Sequence, residues 1–115
     1  MNKKSTISID VNVDEHFIPE KITWEATDSQ EPGKNEAKAM MLSLWDKHEA
    51  NTLRIDLWTK EMTVDEMKAF IVQSILTMGD VFERATNEKE IAEEIRLFGK
   101  ELLEKIKEQE EKSRQ

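Results

Sequence analysis

Leu53-Arg54-Ile55-Asp56-Leu57-Trp58-Thr59-Lys60-Glu61-Met62-Thr63-Val64-Asp65-Glu66-Met67 is the stretch that decides the fold. Its first half alternates apolar and polar residues, the period of a strand with one buried face. A few residues later the apolar spacing changes to that of a helix, with Thr63 where a cap belongs. What lies upstream reads as sheet, and what lies downstream reads as helix.

Working back from Leu53, the polar run Asp46–Asn51 is a turn, and residues 37–46 form the strand that pairs across it. Both faces of that strand are apolar: Met40, Leu42 and Leu44 on one, Ala39, Met41 and Trp45 on the other. Such a strand is either covered twice or exposes an adhesive surface, and the run alone could also be helical. In the hairpin, Leu53, Ile55 and Leu57 must lie beside Leu44, Leu42 and Met40, or the core face would turn to solvent. That register places Trp45 and Trp58 on the opposite face, towards its two ends, with Arg54 and Asp56 between them. Arg54 is then diagonal to Trp45, where a stacking contact contributes about 0.5–1 kcal/mol at an exposed site.

Further upstream, residues 27–36 carry no apolar side chain beyond Pro32 and read as an exposed loop turning at Pro32-Gly33. Ile22, Trp24 and Ala26 share one face of a strand that Pro19 enters in extended conformation. Ile7, Ile9, Val11 and Val13 alternate with Ser8, Asp10 and Asn12 in the first strand, and Asp14-Glu15-His16 turns between the two.

Downstream, Thr63-Val64-Asp65-Glu66 is a capping box, and Asp65 complements the positive helix end. Met67, Phe70, Ile71, Ser74, Ile75, Met78 and Phe82 follow at three- and four-residue steps, a stripe expected to face the sheet. Leu76 and Val81 lie off it, towards a second helix. Gly79 costs about 1 kcal/mol relative to alanine unless close packing requires it. Asn87 and Glu90 form a cap-like pair for the second helix, whose stripe is Ile91, Ile95, Phe98, Leu102 and Ile106. A coiled coil is the competing reading of that stripe, which lasts barely two heptads. The expected fold is α+β: a four-stranded antiparallel sheet followed by two α-helices packed on one face (ββββαα). Residues 1–106 form a single domain, and 107–115 a charged, frayed helix end.

The 115 residues suit one domain, and 37% charged with 37% hydrophobic residues suits a globular chain. A net charge of −8 argues against binding nucleic acid or anionic membranes. The absence of cysteine excludes disulfides, thiolate metal sites, a cysteine nucleophile and the cysteine-lipidated N-terminus of a lipoprotein. Met1-Asn2-Lys3-Lys4-Ser5 leads into alternating residues rather than an apolar run, so no secretion signal is expected. No stretch approaches the roughly 18 apolar residues of a membrane span. The expected compartment is the cytoplasm.

His16 and His48 sit in turns beside acidic residues, where solvation outweighs metal binding or acid–base chemistry. Ser43 and Ser74 have no histidine in a recognisable relation, and the three glycines are too scattered to cradle a phosphate. No catalytic, cofactor or metal residue is assigned, and the expectation is a protein without enzymatic activity. The residues that carry a functional hypothesis are Met41, Trp45, Arg54 and Trp58, of the types enriched at interface cores. They form a partner or homo-oligomer surface, or else the tryptophans fold beneath the 27–36 loop or a helix end.

Lys21-Ile22-Thr23-Trp24, Lys38–Asp46, Leu53–Lys60, Val64-Asp65-Glu66-Met67-Lys68 and Phe82-Glu83-Arg84-Ala85-Thr86 together resemble the gliding motility protein GldC family, from about Ser5 to Leu103. The chain departs mainly in its charged C-terminus. The resemblance implies a cytoplasmic accessory of the gliding machinery of gliding bacteria, without established enzymatic activity and with no defined mechanism; the leading expectation drawn from it is an adaptor that binds protein partners. No site residues carry over. A second reading rests on fold analogy alone: four antiparallel strands before two helices also outline SecB-like export chaperones, acidic oligomers that bind polypeptides.

Overall fold

The alternating and helical periods become β1 (Ile7–Val13), β2 (Pro19–Ala26), β3 (Asn35–Ala37), β4 (Ala39–Trp45), β5 (Thr52–Trp58), α1 (Val64–Thr86) and α2 (Lys89–Ser113). This computed structural model describes residues 3–114; Met1, Asn2 and Gln115, the outer ends of the expected domain and tail, lie outside the described residues. The class is α+β, and the chain divides into two compact units, a sheet unit ending at Met62 and a helical unit beginning at Thr63.

The sheet unit corrects the expected single four-stranded sheet. Five strands form two antiparallel sheets, ordered β1-β2-β3 and β4-β5. The third strand of the sequence reading is split by a bend at Lys38. Its first part starts earlier than expected, inside the polar 27–36 segment, and pairs Asn35 with Trp24 and Ala37 with Ile22. Continuing that register would set Met41 opposite Ile18, which precedes β2 and belongs to the β1–β2 turn. The pairing with β2 stops at Ala37, short of the end of β2 at Pro19, and from Ala39 onwards the strand pairs with β5.

β2 is central in its sheet, so Ile22 is the buried residue there, 1% exposed. Pro19, without an N–H to donate, enters opposite a register shift at Asn12/Val13. The turn before it is built on Asp14, whose Oδ1 accepts from the backbone N–H groups of His16 (2.8 Å) and Ile18 (3.0 Å) while Phe17 takes a left-handed φ of 62°. Asp14 Oδ2 also meets Lys60 Nζ at 2.6 Å, joining this turn to the chain just after β5. At the other end of that sheet Thr6 and Thr27 exchange hydrogen bonds.

In the helical unit the capping box forms as read: Glu66 N–H donates to Thr63 Oγ1 and Thr63 N–H to Glu66 Oε1, 3.0 Å each. Asn87 has a different role from the one expected. It closes α1 in the left-handed conformation (φ 60°, ψ 22°) with its N–H on the Glu83 carbonyl, and α2 starts after Glu88, whose side chain makes no cap bond. A two-residue connection of this kind turns the chain into a helical hairpin.

Both glycines of the helical unit lie against the facing helix. Val72 and Gly79 are buried on α1, and Ala92 and Gly99 on α2. A Cβ on Gly99 would meet Leu76 Cδ2 at 2.8 Å, so Leu76 packs against α2 as expected, whereas Val81 is half exposed. Arg96 reaches across to Asp80 (2.9 Å) and Glu83 (2.8 Å) and along its own helix to Glu93 (3.1 Å). These carboxylates, Glu83 first, raise its pKa further above the ordinary arginine value.

Candidate functional site

The hairpin of β4 and β5 carries every residue singled out for a partner surface. Its register pairs Ala39 with Trp58, Met41 with Asp56, Ser43 with Arg54, and Trp45 with Thr52. The alternate pairs are Met40 with Leu57, Leu42 with Ile55, and Leu44 with Leu53. This is the register demanded by the apolar pattern, and it puts Met41, Trp45, Arg54 and Trp58 on one face with the tryptophans near its ends. The turn between the strands is held by Asp46 Oδ2, which accepts from His48 N–H (3.0 Å) and Glu49 N–H (2.6 Å).

Trp45 is 69% exposed and Trp58 59%, so neither is folded away beneath the 27–36 segment. Arg54 does not take the expected place on Trp45. Its Nη2 donates to Asp56 Oδ1 at 3.2 Å and lies 3.8 Å from Met41 Sδ, which draws the guanidinium to the opposite end of the face. A carboxylate and a sulfur give it two acceptors there, against one solvated ring at the other end. Asp56, absent from the sequence-level site, thus belongs to it; the signal was its two-residue spacing from Arg54 on one strand face.

The face read as inward is also open. Leu44, Leu53 and Ile55 are each more than half exposed, while Met40, Leu42 and Leu57 are partly covered. The hairpin therefore offers aromatic, sulfur and charged groups on one side and aliphatic groups on the other. Contiguous surface of this type marks interaction sites.

In two other polar clusters of the sheet unit the lysine is paired with carboxylates. Lys21 pairs with Glu36 at 3.0 Å, and Lys60 with Asp14 and, at 3.5 Å, Glu20. The Lys60 hydrogen bond, with the two backbone donors, holds the Asp14 carboxyl down at about 2, and Asp14 in turn raises Lys60 above the usual lysine value. His16 and His48 stand in the turns as read, each with its backbone N–H on the aspartate that opens its turn. Among the described residues no helix is long and apolar enough to cross a membrane.

Against known proteins, a family model described as gliding motility-associated protein GldC-like matches residues 19–108, which span β2 to most of α2. No curated protein and no solved structure matches the chain.

Proposed function

The chain belongs to the GldC-like family of gliding motility-associated proteins, and on that premise we propose that it is a non-enzymatic cytoplasmic accessory that binds a protein partner through the β4–β5 hairpin. The observation that carries this reading is the joint exposure of Trp45 and Trp58 on the face that also holds Met41 and Arg54. Large aromatic side chains lose most when left in water and gain most when a partner covers them, which is why they dominate the energetics of interfaces. The acidic surface, −8 overall, favours a partner with a basic rim.

The test is complementation of a deletion strain in the native gliding host. Wild-type protein restores surface spreading. The Trp45→Ser/Trp58→Ser variant, which removes exposed groups only, keeps its circular dichroism spectrum and cellular level but does not restore spreading. Full restoration by that variant refutes the reading. The exposed aliphatic face of Leu44, Leu53 and Ile55 favours one alternative, a SecB-like polypeptide-binding chaperone. It predicts that the purified protein suppresses aggregation of an unfolded client, and that Ile55→Ser abolishes the effect.

A further inference from the structure

We propose that the outer edge of β5 is a self-pairing edge: two copies of the chain join antiparallel about Ile55 to make one four-stranded sheet from two hairpins. This deepens the reading of the hairpin as a working surface and rests on it.

The backbone hydrogen bonds show which groups are free. Asp46 N–H donates to the Asn51 carbonyl and Thr59 N–H to the Lys38 carbonyl, which makes these two pairs hydrogen-bonded ones. Antiparallel ladders alternate, so Leu53, Ile55 and Leu57 bond inward to β4, while Thr52, Arg54, Asp56 and Trp58 turn their N–H and C=O groups to the outer edge. Among the described residues no strand takes that edge. A lone two-stranded hairpin is marginal in water, and an unprotected edge is a template for another strand.

What selects a second copy is the order Thr52-Leu53-Arg54-Ile55-Asp56-Leu57-Trp58, which is self-complementary when reversed. Centred on Ile55, the antiparallel pairing sets Arg54 opposite the partner's Asp56 and Leu53 opposite the partner's Leu57. Opposite charges facing each other across strands attract. The competing arrangements fail on the same residues. A parallel pairing sets Arg54 against the partner's Arg54. An antiparallel pairing centred on Arg54 or Asp56 sets like charges face to face, and a slip of one residue reverses the faces. The outer edge of β4 is a poorer candidate. It carries no charge to choose a register, and it runs into the edge that β2 occupies along β3.

The pairing also completes both faces. On one, Leu42 and Ile55 continue into the partner's Ile55 and the partner's Leu42 as one apolar row. On the other, Trp45, Thr52 and the partner's Trp58 lie in line across the new sheet. The charge term acts locally against a long-range repulsion between two copies of net −8, so moderate salt strengthens the association until the ion pairs themselves are screened.

Sedimentation velocity of the full-length chain over a concentration series tests the inference. The wild type sediments as a dimer. Arg54→Glu and Asp56→Lys each convert both cross-strand pairs to repulsive ones and raise the dimer Kd at least about tenfold. An equimolar mixture of the two variants re-forms a heterodimer, because Glu at 54 then faces Lys at 56 while the remaining Asp56 faces the remaining Arg54. The double variant in one chain restores the homodimer. A monomeric wild type, single variants that dimerise like the wild type, or a mixture that stays monomeric overturns the proposal, and the mixing rescue separates an edge effect from misfolding. A monomeric wild type whose Trp45/Trp58 variant still fails to support spreading refutes the self-pairing alone. A dimer whose Trp45/Trp58 variant spreads normally refutes the partner-face reading alone.

Discussion

Gly79→Ala sets two magnitudes of opposite sign against each other within the helical hairpin. Alanine is the better helix former in an exposed interior position by about 1 kcal/mol, so propensity alone predicts a more stable protein. At Gly79, however, the added Cβ would lie 2.7 Å from Arg96 Cγ and 3.1 Å from the Ala92 carbonyl oxygen. The first contact is with a side chain whose guanidinium is tied to Asp80, Glu83 and Glu93, so it cannot simply swing away. The second is with backbone, and relieving it requires the helices to part. Overpacking of this kind costs about 1–3 kcal/mol, which leaves a net loss of about 0–2 kcal/mol once the propensity gain is subtracted. Urea unfolding followed at 222 nm should show a lower midpoint with an unchanged slope. Repeating the substitution in an Arg96→Ala background removes the closer contact, so there Gly79→Ala should cost less, a coupling that a double-mutant cycle reads directly. A Gly79→Ala protein more stable than wild type by the full propensity gain would refute the close approach of α1 and α2 at this point.

Two further outcomes follow from single interactions. Thr63→Ala removes the acceptor for Glu66 N–H at the start of α1 and should cost about 1 kcal/mol in the same urea assay, whereas Thr63→Ser should be nearly neutral. Asp14 titrates lower in the folded chain than its ordinary 3.8, at about 2, so its contribution to stability is complete above the ordinary value and is lost as pH falls from there through about 2. Carboxyl-carbon NMR should place its midpoint near 2 in the wild type, and Lys60→Met should move it back up towards 3.8; an unmoved midpoint would show that the Lys60 contact is not the main cause.

The β4–β5 register and the cap at Thr63 were legible because each is set by residues close in sequence: a short turn between alternating runs, and a hydroxyl three positions before a glutamate. The break at Lys38 was not, because it is an exchange of partners, Ala37 pairing with β2 and Ala39 with β5, and nothing near Lys38 records that. Asn87 was misread because asparagine serves equally at the start of a helix and in the left-handed position that ends one. Leu53, Ile55 and Leu57 read as core since an alternating apolar row has the same appearance whether its own chain covers it or it stays open. The ion pair of Asp14 with Lys60 joins residues far apart in sequence and left no local pattern. In the candidate site, the shared face of Trp45 and Trp58 followed from parity alone, while the direction of Arg54 depended on which acceptors lay within reach of its side chain.

Every strand pairing in the sheet unit joins neighbours in the sequence, and this bears on how the protein is made. Hairpins close in microseconds, whereas a ribosome adds on the order of 5–20 residues per second. The β4–β5 hairpin can thus close, once it has left the ribosome, before the helical unit is complete. Until then the outer edge of β5 can meet the same edge on chains growing from adjacent ribosomes of one message. There the alternation of Arg54 and Asp56 acts as a gatekeeper, penalising the misaligned pairings from which aggregates grow and admitting the one register that two sister chains can share.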